Sequence, residues 1–162
     1  MSAQKNFFRL MTIITAAMLL VCLPPGLLDA SEITLSRGQT VYVPVYSNVI
    51  AGPKKVPVHL SNTLIIRNTD IYNEIQVSVA DYFDTKGHLI KKYYAEPKIL
   101  GPLETIYIYL SDKDREGGVG ANFIIRWNAA KDVNAPIIEC VMIGSEGRAF
   151  VSPSQVINEE TK

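Results

Sequence analysis

The sequence predicts an all-β protein, an immunoglobulin-like antiparallel β-sandwich of about seven to eight strands. Three observations carry that expectation. From residue 40 onward, short apolar runs alternate with Gly, Pro, Asn and Asp clusters, the spacing of a sandwich or barrel. Within most runs, apolar and polar residues alternate, so each strand has one face to bury and two sheets must pack together. No window of this region shows long helical periodicity.

The strands follow in order. Residues Thr40–Tyr46 read as the first; Pro44 lacks a donor, which places this strand at a sheet edge. Val56–Asn68 is the second, with Val58, Leu60, Leu64 and Ile66 on one face and Asn62 interrupting it. Glu74–Phe83 is the third, with Ile75, Val77, Val79 and Phe83 sharing a face. His88–Tyr94 is the fourth, joined to the third by Asp84-Thr85-Lys86-Gly87. There Asp opens the turn and Gly87 takes the left-handed position. Gly101-Pro102 breaks the chain before the fifth, Glu104–Leu110, which turns Ile106, Ile108 and Leu110 inward and Tyr107 and Tyr109 outward. Asn122–Ala129 and Pro136–Ile143 are the sixth and seventh, and Ala149–Val151 adds a short eighth. Trp127 is read as a core aromatic, and Cys140, in an apolar run, as a small buried hydrophobe.

The chain has 162 residues, enough for one such domain, and its 48% hydrophobic content permits a core. Lys5 and Arg9 precede an apolar run from Leu10 to Leu23, and Leu28-Asp29-Ala30 ends on a small residue. This is the layout of a secretory signal peptide, cleaved after Ala30; the run is short of the roughly 20 residues of a spanning helix. Lipidation at Cys22, after Leu19-Leu20-Val21, and an uncleaved anchor are the alternatives. The expected organisation is a signal peptide at 1–30, an extension at 31–39, the sandwich at 40–152 and a polar tail at 153–162. The product is expected to be periplasmic or otherwise extracellular. The 16 basic and 16 acidic residues balance, which excludes a general electrostatic grip on nucleic acid or anionic lipid. Membrane contact is then expected only through the leader or a lipid anchor.

Sites are sparse. Asp112, Asp114 and Glu116 alternate ahead of Gly117 like the start of a calcium loop, but its twelfth position, Phe123, is no carboxylate. Gly117-Gly118-Val119-Gly120 lacks the Lys-Ser or Lys-Thr of a phosphate loop, so its glycines are expected to support a tight backbone. Asp81 and Glu139 fall by parity on apolar faces, where an unpaired carboxylate is costly; Asp81 then meets a partner such as Arg67 or Arg126, or its strand bulges, or it lines a cleft, and the same holds of Glu139. His59 and His88 have no metal-ligand spacing. Tyr42, Tyr46, Tyr107 and Tyr109 are expected on outward or edge faces, compatible with an interface.

Several segments, taken in order, resemble a bacterial exported family known only as domain of unknown function 3124. They are Val41-Tyr42-Val43-Pro44-Val45-Tyr46-Ser47, Thr63-Leu64-Ile65-Ile66-Arg67-Asn68-Thr69-Asp70, Asp81-Tyr82-Phe83-Asp84 through Gly87, Gly118-Val119-Gly120-Ala121-Asn122-Phe123, and Val141-Met142-Ile143-Gly144. The resemblance implies a bacterial, extracytoplasmic protein, in a family whose members often look like lipoproteins; it implies no activity, cofactor or partner. The expected function is a non-enzymatic binding or scaffolding module of the cell envelope, its partner an envelope protein or ligand. The surface is assigned to Arg67, Asn68, Asp70, Asp84 and Asn122, because recognition sits on loops and strand ends of rigid sandwiches. The alternatives are a small-ligand or calcium binder using Asp112, Asp114 and Glu116, and an enzyme acting on envelope polymers through Asp81 or Glu139. No cofactor is expected.

Overall fold

Side chains alternate along a strand, so a strand with one apolar face is stable only when a second sheet covers that face. The computed structural model, which describes residues 35–144 and 147–157, meets this demand with two antiparallel sheets. Its eleven strands are β1 (Ser36–Pro44), β2 (Asn48–Ala51), β3 (Val56–Arg67), β4 (Ile75–Phe83), β5 (Leu89–Lys92), β6 (Lys98–Leu100), β7 (Thr105–Leu110), β8 (Asn122–Val133), β9 (Ile137–Gly144), β10 (Ala149–Pro153) and β11 (Gln155–Ile157). One sheet runs β11-β1-β8-β4-β5, with β6 also paired to β4. The other runs β10-β9-β3-β2, with β7 also paired to β3. Residues 1–34, with the expected signal peptide, Cys22 and Ala30, lie outside the described residues.

The count exceeds the expected seven to eight because short strands were overlooked. β2 folds back on β3 through a turn at Gly52–Lys55. β6 lies beyond the expected fourth strand, and β11 falls in the expected tail, where it pairs with Thr40–Tyr42 of β1. That pairing also removes β1 from the edge position assigned to it: β1 lies between β11 and β8. Pro44 is tolerated there because the N–H of Val45 points to Ala121. The nitrogen of Pro44 therefore faces the other side, past the stretch that β11 covers.

The inner faces meet in one core. Val41 and Val43 of β1 and Phe123, Ile125 and Trp127 of β8 come from one sheet; Leu64 and Ile66 of β3 and Ile138, Cys140 and Met142 of β9 come from the other. Burial pushes the Cys140 thiol up to about 12, so it packs as a neutral hydrophobe. Tyr46 also turns toward this core rather than outward. It is half-buried, with its ring 6.3 Å from Phe150.

β4 changes phase midway. Its register against β8 shifts between Val77 and Val79, which inserts Ser78 as a bulge. Ile75 and Val77 are buried before the bulge; Ala80 and Tyr82 are buried after it. Val79 and Phe83, expected inward, are only half-buried on the opposite face, and Asp81 goes with them.

Tyr82 stacks on Phe123 at 5.0 Å between ring centroids, and its hydroxyl meets Ser47 Oγ at 3.1 Å. Burial raises its pKa to about 12. The glycine loop before β8 closes over this pair. Ser47 N–H donates to Gly118 O at 3.0 Å, and Thr85 Oγ1 donates to Gly117 O at 2.8 Å. A Cβ on Gly117 would overlap Tyr82 Oη and lie 2.7 Å from Ser47 Oγ. The glycines thus serve close packing, as expected. Gly87 has φ of 80° and donates to Asp84 O at 3.0 Å, which completes the expected β4–β5 turn.

Gly117→Ala is expected to lower the unfolding free energy by about 2 kcal/mol, because the buried, hydrogen-bonded Tyr82 cannot move aside freely. Urea denaturation checks this. Gly147→Ala, where nothing lies within 4 Å of an added Cβ although φ is 76°, should cost less.

Candidate functional site

The chain leaving β3 must turn into β4 while satisfying its backbone groups, and Asn68 and Asp70 do this work. Asn68 is 0% exposed. Its Nδ2 donates to Asn73 O and Gly101 O at 2.9 Å and to Leu100 O at 3.3 Å, while its Oδ1 accepts the Asp70 N–H at 3.0 Å. Asp70 Oδ1 accepts the N–H groups of Tyr72 at 2.9 Å and Asn73 at 2.8 Å, and Oδ2 accepts that of Asn134 at 3.3 Å. The Tyr72 N–H in particular holds the Asp70 carboxyl below the usual carboxylate range, against the opposing effect of burial. Both residues are buried turn-formers, not members of an exposed surface.

Asp84 has the same occupation at the other end of β4. Its Oδ1 accepts from Lys86 N and His88 N at 2.8 Å, and His88 Nδ1 lies 3.2 Å from Oδ2. The His88 N–H is the main cause of its lowered pKa. Asn122 is near this end, paired with Phe83 and Pro44. Asn68 and Asp70 precede β4, whereas Asp84 and Asn122 lie at its end. A nine-residue strand rises about 27 Å at roughly 3 Å per residue, so the five residues do not converge on one site. Of them, Arg67 alone is exposed.

The remaining carboxylates are dispersed. Asp114 Oδ1 accepts the Glu116 N–H at 3.1 Å, and Asp112 Oδ1 accepts from Ser111 Oγ at 3.0 Å. Among the described residues, no group of three or more His, Cys, Asp or Glu side chains is placed to hold a metal ion. Asp81 sits on the outer face of the six-stranded sheet, paired in register with Lys92 and Ile124. Glu139 sits on the outer face of the other sheet, 3.9 Å from the guanidinium of Arg67. The two are on opposite sides of the molecule. Arg67 thus partners Glu139, not Asp81.

What the structure does assemble is apolar. Cross-strand partners on the outer face of the five-stranded sheet align in rows: Tyr109, Thr63, Val141 and Val151 form one, and Tyr107, Ile65, Glu139 and Pro153 form the next. Ile143 and Ile137 flank them on β9. Neighbours in such rows are about 5 Å apart, with Thr63 and Glu139 among the apolar side chains. Tyr107 is 71% exposed, Tyr109 57%, Val151 53%, Ile137 47% and Ile143 46%. A sandwich face in water is normally polar, and this one exposes tyrosine and aliphatic side chains. The outward tyrosines were expected. Ile137, Ile143 and Val151 were missed, although β9, IIECVMIG, signals the first two: a strand with one wet face should alternate, and this one carries Ile137, Val141 and Ile143 beside Glu139 on its outer face.

A family model described as a protein of unknown function, DUF3124, matches residues 38–157. No curated protein and no solved structure matches the chain.

Asn68→Ala is expected to lower the unfolding free energy by about 3 kcal/mol, since it strands buried carbonyls and an N–H. Asp70 and Asp84 titrate below their unfolded value of about 3.9. Their contribution is therefore full above that value and lost as pH falls through the lower folded values. Urea unfolding followed from about pH 5 to pH 2 should show this acid limb. Asp70→Asn should be less stable at neutral pH and show a shallower limb.

Proposed function

This chain belongs to the DUF3124 family, and from that premise we propose that it is a non-enzymatic binding module acting outside the cytoplasm. The outer face of its five-stranded sheet is the contact surface. The exposed tyrosine and aliphatic rows across β7, β3, β9 and β10 carry this reading. Leaving that much apolar area in water is unfavourable, and a partner would remove it from water at about 25 cal/mol per Å². Tyr107 and Tyr109 suit the centre of such a contact, because tyrosine offers a rigid apolar ring and a hydroxyl that can bond at the rim. Glu139, within the patch, and Arg67, in the adjoining row beside Ile137, give orientation.

In this reading the scaffold is an elaborated immunoglobulin-like sandwich, enlarged by the short strands β2, β6 and β11. Export rests on the charged, apolar and small-residue sequence of the first thirty positions. The partner is an envelope protein with a complementary apolar face. Asn68, Asp70 and Asp84 hold the scaffold, and their polar atoms are already engaged.

In-cell crosslinking with the native leader, followed by mass spectrometry, tests the reading. A Tyr107→Glu/Tyr109→Glu variant should fold normally, since both side chains point outward. It should recover at least about tenfold less of any partner, the loss expected for hot-spot residues. Equal recovery by the folded variant and the parent would overturn the assignment.

A further inference from the structure

A second concave site lies apart from that face. The β2–β3 hairpin extends past Leu60, where β9 ends its pairing with β3. Gly144, at the end of β9, pairs with Leu60. The β2–β3 hairpin, Gly144, Arg148 and β10 line a recess of about 420 Å³, with Val49, Ala51, Val58, Leu60 and Phe150 among its walls. Ligand pockets run from about 300 to 1,000 Å³ and are mostly apolar with a few polar groups, so both its size and its lining fit.

Strand register gives the recess a direction. Val58 pairs with Val49 and Val56 with Ala51, so all four project on the same side as Leu60. They form an apolar strip about 13 Å long at roughly 3.3 Å per residue. The strip ends at the turn Gly52–Lys55, whose Lys55 N–H donates to Gly52 O at 3.0 Å. Lys54 and Lys55 are both exposed there, and Gly52 itself lines the recess. Residues 48–60 contain no acidic side chain, so the lysine charges of this turn are not offset within the hairpin. The net neutrality of the chain excludes a global attraction to anions but leaves this local one.

We propose that the recess binds a single aliphatic chain bearing an anionic head group. The chain lies against Leu60, Val58, Val49 and Phe150, and the head group sits at Lys54 and Lys55. A soluble long-chain carboxylate and an acyl chain of an anionic membrane lipid present the same chemistry. The site is independent of the sheet face proposed above, because its walls lie on the inner side of the sheet.

Dodecanoate, below its aggregation concentration, is the probe for the soluble source, and vesicles containing phosphatidylglycerol are the probe for the membrane source. Titration of the full sandwich with dodecanoate should be saturable and should shift the resonances of Val49, Val58 and Phe150. Ala51→Trp, which fills an exposed part of the recess without entering the core, should weaken binding at least tenfold while leaving the melting curve unchanged. Lys54→Gln/Lys55→Gln should abolish the preference for dodecanoate over dodecanol. Vesicle binding sensitive to Ala51→Trp, in the absence of dodecanoate binding, would assign the site to membrane lipid. The proposal is overturned if neither probe binds, if binding survives Ala51→Trp unchanged, or if the shifts map elsewhere.

Discussion

The bulge at Ser78 is the constraint on which much else rests. One extra residue in β4, opposite the Trp127–Arg126 stretch of β8, reverses which side chains enter the core. Without it, Asp81 would enter with Val79 and Phe83, and an unpaired carboxylate in that core is costly. With it, Asp81 faces water and Tyr82 faces Phe123. Tyr82 in turn reaches Ser47 and packs beneath Gly117. A single register shift thereby ties β4 to the chain leaving β1 and to the glycine loop that starts β8.

That constraint also explains where sequence reasoning stopped. Alternation located the main strands and the correct outward face of β7, because Ile108 and Leu110 are inward and Tyr107 and Tyr109 outward. Alternation does not locate an inserted residue, so Val79 and Phe83 were expected inward; the misplaced Asp81 left a bulge as one of three explanations, and the bulge is the one present. Short strands such as β2 and β11 are set by pairing to β3 and β1, contacts distant from their own composition. Asn68, Asp70 and Asp84 illustrate a different ambiguity. A polar residue beside a strand end can recognise a partner or satisfy a turn, and composition is the same in both cases. Here the hydrogen bonds belong to the turns.

Polar and apolar groups therefore divide the labour. Polar side chains at both ends of β4 are consumed by the backbone, whereas the surface left unsatisfied is apolar. β9 explains how this arises. Its inner residues Ile138, Cys140 and Met142 fill the core, while Ile137, Val141 and Ile143 cover the opposite face. A strand with aliphatic residues on both sides, as here except for Glu139, is usual in a sheet covered on both sides. The described chain covers one side only, and we read the other as reserved for a partner.

Hydroxyl-radical footprinting compares that face directly in the two settings that matter, the intact cell and the purified protein. The account predicts that Tyr107 and Tyr109 are strongly modified in the purified protein and protected in the cell envelope, while exposed Tyr72, 82% accessible in the β3–β4 turn, reacts equally in both. Equal modification of Tyr107 and Tyr109 in the two settings would contradict it.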